Sequence, residues 1–372
     1  MKLQKITIFK LLILLLTPIS ILLLYLYEYN PQTWEELYSL GINKYFIEGI
    51  SSVFGTVSFS VFEVLIGFTL IFLVGFIIGT FFYVFKYKGH ALNILANSLL
   101  NFAVVASILF TMFITFWGLN YKRPEFGQKE DLVVKKYTHG DLGAYYTHLL
   151  TQAGRIRNHL NEDENGIVKM DSDYEGIFTR APLGFYVLGE EFETLSGIYG
   201  PAKPIMGSKA LNYTGITGIY SPFTGEPNVN VAIPEMFIPS TTCHEMAHQH
   251  GYGFEDQCNF IAYITCMAHP HLDFKYSGYL LAIAYTSNAL AKVDFDLLVS
   301  INKHYMPKKV LDDLNYGNDF WSNYQGDVQK VSQNINNSYL KANGVTAGTE
   351  SYGEVVDLLL SYYEKYHKKY RL

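Results

Sequence analysis

The chain has 372 residues and a formal net charge of −6, and 49% of its residues are apolar. This length and this apolar content accommodate a membrane anchor together with one sizeable further domain. The negative charge and the lack of a basic block exclude nucleic acid as an expected partner. The three cysteines are an odd number, which does not predict a disulfide framework.

Three long apolar stretches in the first third of the chain predict transmembrane helices. They cover about residues 11–27, 61–85 and 94–117, and each is long enough to cross a hydrocarbon core of roughly 30 Å. A cleaved signal peptide is the alternative for the first stretch, but no small-residue cleavage motif follows it and two more spans come after it. Residues 1–120 are therefore predicted to form a membrane anchor.

Basic residues around the spans predict the orientation of the anchor. Lysines precede the first span and separate the second from the third; they are Lys2, Lys5, Lys10, Lys86 and Lys88. Because short cytoplasmic segments are enriched in lysine and arginine, we expect the N-terminus and the second link in the cytoplasm. Three crossings then place residues 121–372 outside the cytoplasm, in a multi-pass protein of the cell membrane. Trp117 and Tyr121 are expected at the membrane interface.

The sequence pattern of residues 121–372 predicts an α+β domain that is mostly helical. Apolar residues recur at helical spacing in 131–160, 278–292 and 354–366, and a stretch broken by proline and glycine covers 173–196. The fold class predicted for the whole chain is therefore an anchor of three transmembrane helices followed by this domain.

Short strands are predicted between these helices. Residues 205–233 contain threonine, tyrosine, valine and isoleucine around repeated glycine and proline. Residues 228–233 alternate polar and apolar side chains, and we expect a strand at the edge of a cleft, where an extended substrate can pair with it. An ordinary half-buried strand is the alternative.

The most informative pattern is the HExxH pentapeptide that runs from His244 to His248 in a helical stretch. Residues four apart share one face of a helix, so both imidazoles can bind one zinc ion. Glu245 is expected to act as the general base on a water beside that ion. A capping box with Thr242 is the alternative role for Glu245, but it leaves the two histidines unexplained.

Two glycines then predict a reversal of the chain before a second helix. A glycine can end a helix in the left-handed conformation, Gly251 and Gly253 both follow the pentapeptide, and the next helical run starts at Glu255. Glu255 and Asn259 share one face of that helix, so we expect Glu255 to be the third zinc ligand and Asn259 to hold a ligand histidine. Asp256 is the runner-up as ligand, and stabilisation of the helix N-terminus is the alternative role for Glu255.

The group that stabilises the oxyanion of the reaction is left open among four residues. The candidates are Tyr252, Tyr263, Tyr285 and His269. The three-histidine pattern HExxHxxGxxH is excluded, because Phe254 stands where its third histidine would be. His250 lies on a different helix face from the two predicted ligands and is expected to be exposed or to lie in a loop.

The pattern Glu255-x-x-Cys258-Asn259 resembles the second ligand helix of glutamate-type zincin peptidases. The resemblance implies a zincin-like fold in which Glu255 is the third ligand of one zinc ion, beside the two histidines of the HExxH motif. It also implies that Asn259 supports one of those histidines. The gap between the two motifs is shorter here than in most such families.

Motifs spread along nearly the whole chain carry a second resemblance. They are the three apolar spans, the segments 117–121, 220–226, 244–249 and 255–263, and Ser351-Tyr352-Gly353. Together they resemble an uncharacterised family of bacterial membrane proteins, domain-of-unknown-function family 3810. The resemblance implies a membrane-anchored zincin-like domain and assigns no substrate. Members often carry an acid where Gln257 stands. If that acid is the third ligand in the family, the resemblance implies that this chain is poor in metal or inactive.

These patterns together predict a membrane-anchored zinc metallopeptidase that hydrolyses peptide bonds outside the cytoplasm. Its expected partners are the lipid bilayer and a peptide or protein substrate. A non-catalytic membrane receptor or scaffold with a degenerate zincin domain is one alternative. A hydrolase of cell-wall peptides is the other.

Overall fold

The structure is a computed structural model that describes residues 2–132, 137–343 and 354–366. The motif Ser351-Tyr352-Gly353 lies outside these residues, as does part of the predicted helix 131–160. The first third of the chain contains α1 (Lys2–Leu14), α2 (Leu16–Tyr29), α3 (Pro31–Trp34), a π-helix (Glu35–Asn43), α4 (Lys44–Phe54), α5 (Val61–Lys86), a 3₁₀-helix (Lys88–His90) and α6 (Ala91–Phe116).

Three helical stretches within the described residues are long and apolar enough to cross a membrane: Thr7–Tyr29, Val61–Lys86 and Lys88–Phe116. They confirm the three predicted apolar helices, with ends that differ by a few residues. The first stretch is interrupted at Leu15, between α1 and α2. Pro18 explains the interruption, because it has no N–H to donate to the carbonyl of Leu14 and its ring crowds that carbonyl.

The segment between the first two spans, residues 31–60, packs against the region that follows α6. Ser39 donates to Asn120 at 2.7 Å, and the Asn120 amide donates to Asn43 at 2.9 Å. Glu226 accepts the first two backbone N–H groups of α5 at 3.2 and 3.0 Å. Residues 31–60 and the C-terminal region therefore lie at the same end of the spans.

The structure of the C-terminal region confirms the prediction that it is mostly helical with a few short strands. It begins with a 3₁₀-helix (Gly118–Lys122), and 3₁₀-helices also lie at Glu193–Leu195, Asn212–Thr214 and Glu235–Phe237. Its other elements are α7 (Phe126–Lys129), α8 (His139–Arg157), α9 (Tyr174–Arg180), α10 (Pro182–Gly189), β1 (Lys203–Pro204), α11 (Ser208–Leu211), β2 (Gly218–Ser221), β3 (Glu226–Val229), α12 (Ile238–Gln249), α13 (Glu255–Ala268), α14 (Leu272–Val293), α15 (Phe295–Tyr305), α16 (Lys308–Ser322), α17 (Asp327–Ala342) and α18 (Glu354–Tyr366).

Four helices, α8, α12, α13 and α14, form the centre of this region. The side chains of Leu280, Ile283 and Leu290 on α14 are buried, so α14 is a core helix. Its close approach to α13 requires Gly278, where a Cβ would lie 2.6 Å from the Cβ of Cys266. The three cysteines are free and buried, and they fill core space as small apolar side chains.

A small sheet beside α12 has the strand order β1–β3–β2, with β1 parallel and β2 antiparallel to β3. The expectation of an edge strand over residues 228–233 is wrong, because only Asn228 and Val229 lie in a strand and β3 is central. The chain leaves the sheet where the Asn230 side chain accepts the N–H of Ala232. The edge strand that contacts α12 is β2.

A buried ion pair joins the π-helix to the turn that follows α12. Arg123 Nε donates to Glu35 Oε1 at 3.1 Å, and both side chains are almost completely buried. Arg123 Nη1 donates to the carbonyl oxygens of His250 and Gly251 at 3.0 and 3.3 Å. The guanidinium also lies over the ring of Tyr252, 4.2 Å from its centroid. Arg123 thus connects segments that are far apart in the sequence.

We expect Glu35→Gln to destabilise the protein strongly. The substitution leaves the buried charge of Arg123 without its counter-charge, which costs about 3 kcal/mol or more. Thermal unfolding of the full-length protein in detergent measures the effect. Glu28→Gln is the matched control, because Glu28 pairs with Lys122 at the surface and its loss should cost less than about 1 kcal/mol. Equal shifts for the two variants would contradict the central role of the buried pair.

Candidate metal centre

Helix α12 carries the HExxH motif and begins more than one turn before it. Pro239 lies in the first turn, where its missing N–H costs no hydrogen bond. The hydroxyl of Thr242 donates to the carbonyl of Ile238 at 2.7 Å, so Thr242 is an interior residue of the helix. The capping-box role for Glu245 is therefore wrong, because the helix does not start at Thr242.

A left-handed glycine ends α12 and turns the chain back. Gly251 has a φ of 85°, and its N–H donates to the carbonyl of His248 at 2.9 Å. The N–H of Tyr252 donates to the carbonyl of Ala247 at 3.3 Å. These two bonds form a Schellman ending, which satisfies the last carbonyls of the helix. The reversal leads into α13, so the two helices lie side by side.

Three side chains from α12 and α13 converge at this reversal. His244 Nε2 lies 3.2 Å from Glu255 Oε2, and His248 Nε2 lies 3.7 Å from Glu255 Oε1. One nitrogen or oxygen atom from each of the three residues lies within 4.8 Å of the others, and this group does not include Asp256. Atoms at such spacing can surround a cation at ligand distances of about 2.0–2.2 Å.

The second ring nitrogen of each histidine is held by an oxygen. His244 Nδ1 lies 2.9 Å from Asn259 Oδ1, and His248 Nδ1 lies 2.7 Å from the carbonyl oxygen of Tyr252. Because both partners are acceptors, each Nδ1 carries the proton and donates it. In the neutral ring this leaves the lone pair on Nε2, which is the form that an imidazole needs to bind a metal. When the His244 ring is protonated, its Nε2–H instead donates to Glu255.

Burial and mutual contacts give the two histidines and the two glutamates of this region different pKa values. Burial lowers the pKa of His248 to about 4. Burial also disfavours the charged forms of His244 and Glu255, but their hydrogen bond raises the pKa of His244 and lowers that of Glu255 to about 2. Burial raises the pKa of Glu245 to about 8. A nearby cation would favour the carboxylate form of Glu245.

Glu245 lies against the edge strand β2. A Cβ at Gly218 would overlap Glu245 Oε1, so the absence of a side chain there makes room for the carboxylate. Side chains alternate along a strand, and Tyr220 faces the same side, where its ring stacks on His248 with centroids 6.3 Å apart. The strand β2 therefore passes directly beside Glu245 and His248.

Aromatic residues from the end of the third span form another wall of the site. Trp117 Nε1 donates to the carbonyl of His248 at 3.2 Å, and Tyr121 donates to the hydroxyl of Tyr339 on α17 at 3.1 Å. Burial raises the pKa of Tyr121 and of Tyr339, and the charge of Glu255 adds to it, so both phenols remain protonated. Tyr220 and Tyr339 were not predicted as site residues from the sequence, and Trp117 and Tyr121 were expected only at the membrane interface.

Three of the four oxyanion candidates make contacts elsewhere. Tyr252 lies under the guanidinium of Arg123. Tyr263 is hydrogen-bonded to Tyr145 in the core, and Tyr285 packs against the main core. None of these contacts involves an Nε2 atom of the two HExxH histidines. Tyr121 and Tyr339 are phenols whose pKa the charge of Glu255 helps to raise.

Two polar residues near His244, His248 and Glu255, here called the triad, have packing roles. The expectation of an exposed His250 is wrong, because it is 5% exposed and its ring stacks on Phe185 with centroids 4.2 Å apart. Its Nδ1 lies 2.7 Å from the carbonyl of Met246, and burial lowers its pKa to about 3. Gln257 Oε1 accepts the N–H of Phe126 at 3.0 Å, so its amide fastens α7 to α13.

A second group of acidic and imidazole side chains lies around an open pocket. It consists of Asp171, His271 and Asp273; Asp171 and His271 line the pocket, and Asp273 is buried. Arg180 donates to both oxygens of Asp273, at 3.0 and 2.8 Å. Because this pairing neutralises the one buried carboxylate, the group suits a metal ion less well than the triad on α12 and α13.

The family described as "Protein of unknown function (DUF3810)" matches residues 38–360 of the chain. The chain belongs to this family. The match covers the second and third spans and all three residues of the triad, so the site lies within the part of the chain that DUF3810 defines. No curated protein and no solved structure matches the chain.

The fourth oxyanion candidate, His269, is a buried imidazole that the structure requires to be neutral. Its Nε2 lies 3.0 Å from the carbonyl of Arg180, and its Nδ1 accepts the backbone N–H of His271 at 3.1 Å. Burial lowers its pKa to about 4. One neutral tautomer satisfies both contacts, whereas the protonated ring would direct a second N–H against that of His271.

Acid is therefore expected to destabilise the protein through His269. Its pKa is 6.5 in the unfolded chain and about 4 in the folded protein. The stability that the neutral ring contributes is fully present above pH 6.5 and is lost as the pH falls toward 4. The loss reaches about 2 kcal/mol at pH 5.

Thermal unfolding of His269→Asn measures this effect, because asparagine does not titrate. Between pH 7 and pH 5, this variant should lose about 2 kcal/mol less than the unsubstituted protein. The exposed His304 provides the control, and His304→Asn should keep the original pH dependence. An unchanged pH dependence in His269→Asn would contradict the prediction.

Proposed function

We propose that this chain is a membrane-anchored zinc metallopeptidase with a zincin-like domain. The observation that supports the proposal is the convergence of His244 Nε2, His248 Nε2 and the Glu255 carboxylate, with each Nδ1 held by an oxygen. Glu245 lies on the same helix as the histidines and supplies a separate carboxylate. Two imidazoles, a carboxylate ligand and a further carboxylate are what hydrolysis of an amide at a metal requires.

The donor set fits zinc better than magnesium or calcium. Those two ions are bound through oxygen ligands in sites of higher coordination number, whereas imidazole nitrogen suits zinc. Three protein donors leave a fourth position open. A zinc ion bound there would polarise a substrate carbonyl and lower the pKa of a water to about 7.

Glu245 is the proposed carrier of the proton. Its carboxylate takes a proton from the attacking water and delivers it to the nitrogen of the leaving amine. Its place against Gly218 puts it beside a peptide that pairs with the edge strand β2. Tyr339, which keeps its proton and accepts a hydrogen bond from Tyr121, is the proposed donor to the oxyanion.

The proposed site lies outside the cytoplasm, close to the membrane surface. The lysines before the first span and between the second and third favour the cytoplasmic side for those segments. The third span then ends outside, and Trp117 at that end bonds to the HExxH helix. The proposed substrates are peptides or proteins that reach the outer surface of the bilayer, and cell-wall peptides are the alternative class.

Metal analysis of the purified full-length protein tests the ligand set. We expect about one zinc ion per chain. His248→Ala and Glu255→Gln should each lose most of the metal, because each removes one of three donors. Asp256→Asn is the matched control, since its carboxyl neighbours Glu255 in sequence but is outside the triad. Metal loss in Asp256→Asn with retention in Glu255→Gln would reassign the third ligand, and a metal-free native protein would overturn the proposal.

Glu245→Gln tests the chemistry separately from metal binding. The variant should keep its zinc while the rate of peptide cleavage falls about a hundred- to ten-thousand-fold, because the proton carrier is lost. An unfolded protein and purified cell-wall peptides serve as parallel substrates in detergent or lipid. Cleavage of the wall peptides alone would favour that substrate class. A zinc-loaded protein that cleaves neither, and whose cellular phenotype survives Glu245→Gln, would support a receptor or scaffold instead.

A further inference from the structure

Helix α17 leaves an apolar stripe uncovered. Val328, Val331, Ile335 and Tyr339 are 58%, 56%, 65% and 41% exposed. Their spacing of three, four and four residues places them in one stripe along the helix. A helix of a soluble domain normally buries such a stripe against the core, so the stripe of α17 requires a different neighbour.

The side of α17 that faces the protein is mostly polar. Gln329, Ser332 and Asn336 are partly buried on this side, and Leu340 is fully buried at its end. At about 100° per residue, the centre of this side lies roughly 100° around the helix from the centre of the apolar stripe. The helix therefore contacts the protein with one flank and presents its apolar stripe at right angles to that contact.

Both ends of α17 lie beside the ends of the membrane spans. At its C-terminal end, the ring of Tyr339 lies 6.5 Å from that of Phe113, in the last turn of α6. At its N-terminal end, Gln329 lies against Gly215, where a Cβ would be 3.1 Å from Gln329 Nε2. This end of the helix contacts the 3₁₀-helix Asn212–Thr214.

The 3₁₀-helix Asn212–Thr214 in turn adjoins the first two turns of α5. Phe62 and Ile66 of α5 line a cavity of about 440 Å³ together with Leu211 and Thr214. The Glu63 carboxylate accepts two backbone N–H groups of the segment just before α11, at 2.6 and 3.0 Å. Helix α17 consequently runs from the start of the second span to the end of the third, at the level where both leave the apolar layer.

We propose that α17 is an interfacial helix that lies on the bilayer holding α5 and α6, with Val328, Val331 and Ile335 turned toward the lipid chains. A lipid surface fits this position because the exposed stripe is apolar, the flanking exposed residues are polar or charged, and both ends adjoin spanning helices. The contact between Tyr339 and Phe113 makes the stripe continuous with the apolar surface of the third span.

The placement gives α17 a part in the metal site. Tyr339 at the end of the stripe bonds to Tyr121, whose ring packs on Phe254, directly before Glu255. Helix α17 therefore forms the wall of the site on its bilayer side, and contact with lipid holds that wall in position. The location of α17 does not depend on whether the site hydrolyses peptides.

Depth-dependent quenching by lipids tests the proposal on the full-length protein in lipid nanodiscs. A fluorescent label is attached to Ile335→Cys, and separately to the matched control Asn334→Cys, which is exposed on the polar side of the same helix. The native cysteines are buried, so unsubstituted protein carried through the labelling reports their background. Nitroxide groups on the lipid chains should quench the label at position 335 at least about twofold more than the label at 334.

Equal quenching at the two positions, stronger quenching at 334, or none at either would overturn the proposal. Val331→Cys with Gln333→Cys repeats the comparison one turn earlier and should give the same order. Thermal unfolding of each labelled variant verifies that it keeps the fold. Because zinc content and cleavage do not enter this measurement, its outcome is separate from that of the proposed hydrolysis.

Discussion

The site depends most on the placement of one buried guanidinium. Arg123 follows the third span, pairs with Glu35 from the segment between the first two spans, and donates to the carbonyls of His250 and Gly251. Those carbonyls belong to the reversal between α12 and α13, which determines where Glu255 stands relative to the two histidines. A charge removed from water must be compensated by partners in fixed geometry. Because Arg123 has its partners in both places, it holds the segments next to the spans and the reversal in a fixed relative position.

The parts of the site that the sequence made predictable are those encoded within one or two helical turns. His244 and His248 are four residues apart, a glycine follows, and Glu255 and Asn259 again share a helix face. Helical periodicity and the preference for glycine at a helix end are local rules. They were enough to predict that these side chains converge. The three apolar spans were equally predictable, because length and hydropathy alone identify them.

Contacts between distant segments were not predictable in the same way. Gly218 makes room for Glu245, Tyr220 stacks on His248, and Tyr339 bonds to Tyr121, yet nothing in the local sequence around these residues indicates the partner. The strand before α12 was misplaced for a related reason, since alternation of residue types does not reveal whether a strand is central or at an edge. His250 lies in the turn after α12, but its burial was not predicted, because helix periodicity says nothing about the aromatic ring that covers it.

The hydrogen bond from Trp117 to the carbonyl of His248 has a mechanical consequence. Trp117 directly follows α6, and its partner lies on the helix that carries both histidines, so no flexible linker separates the third span from α12. Spanning helices tilt to match their hydrophobic length to the thickness of the surrounding bilayer. A tilt of α6 in a bilayer would therefore displace α12 with it, and the height of the two histidines above the lipid would follow the thickness of the membrane.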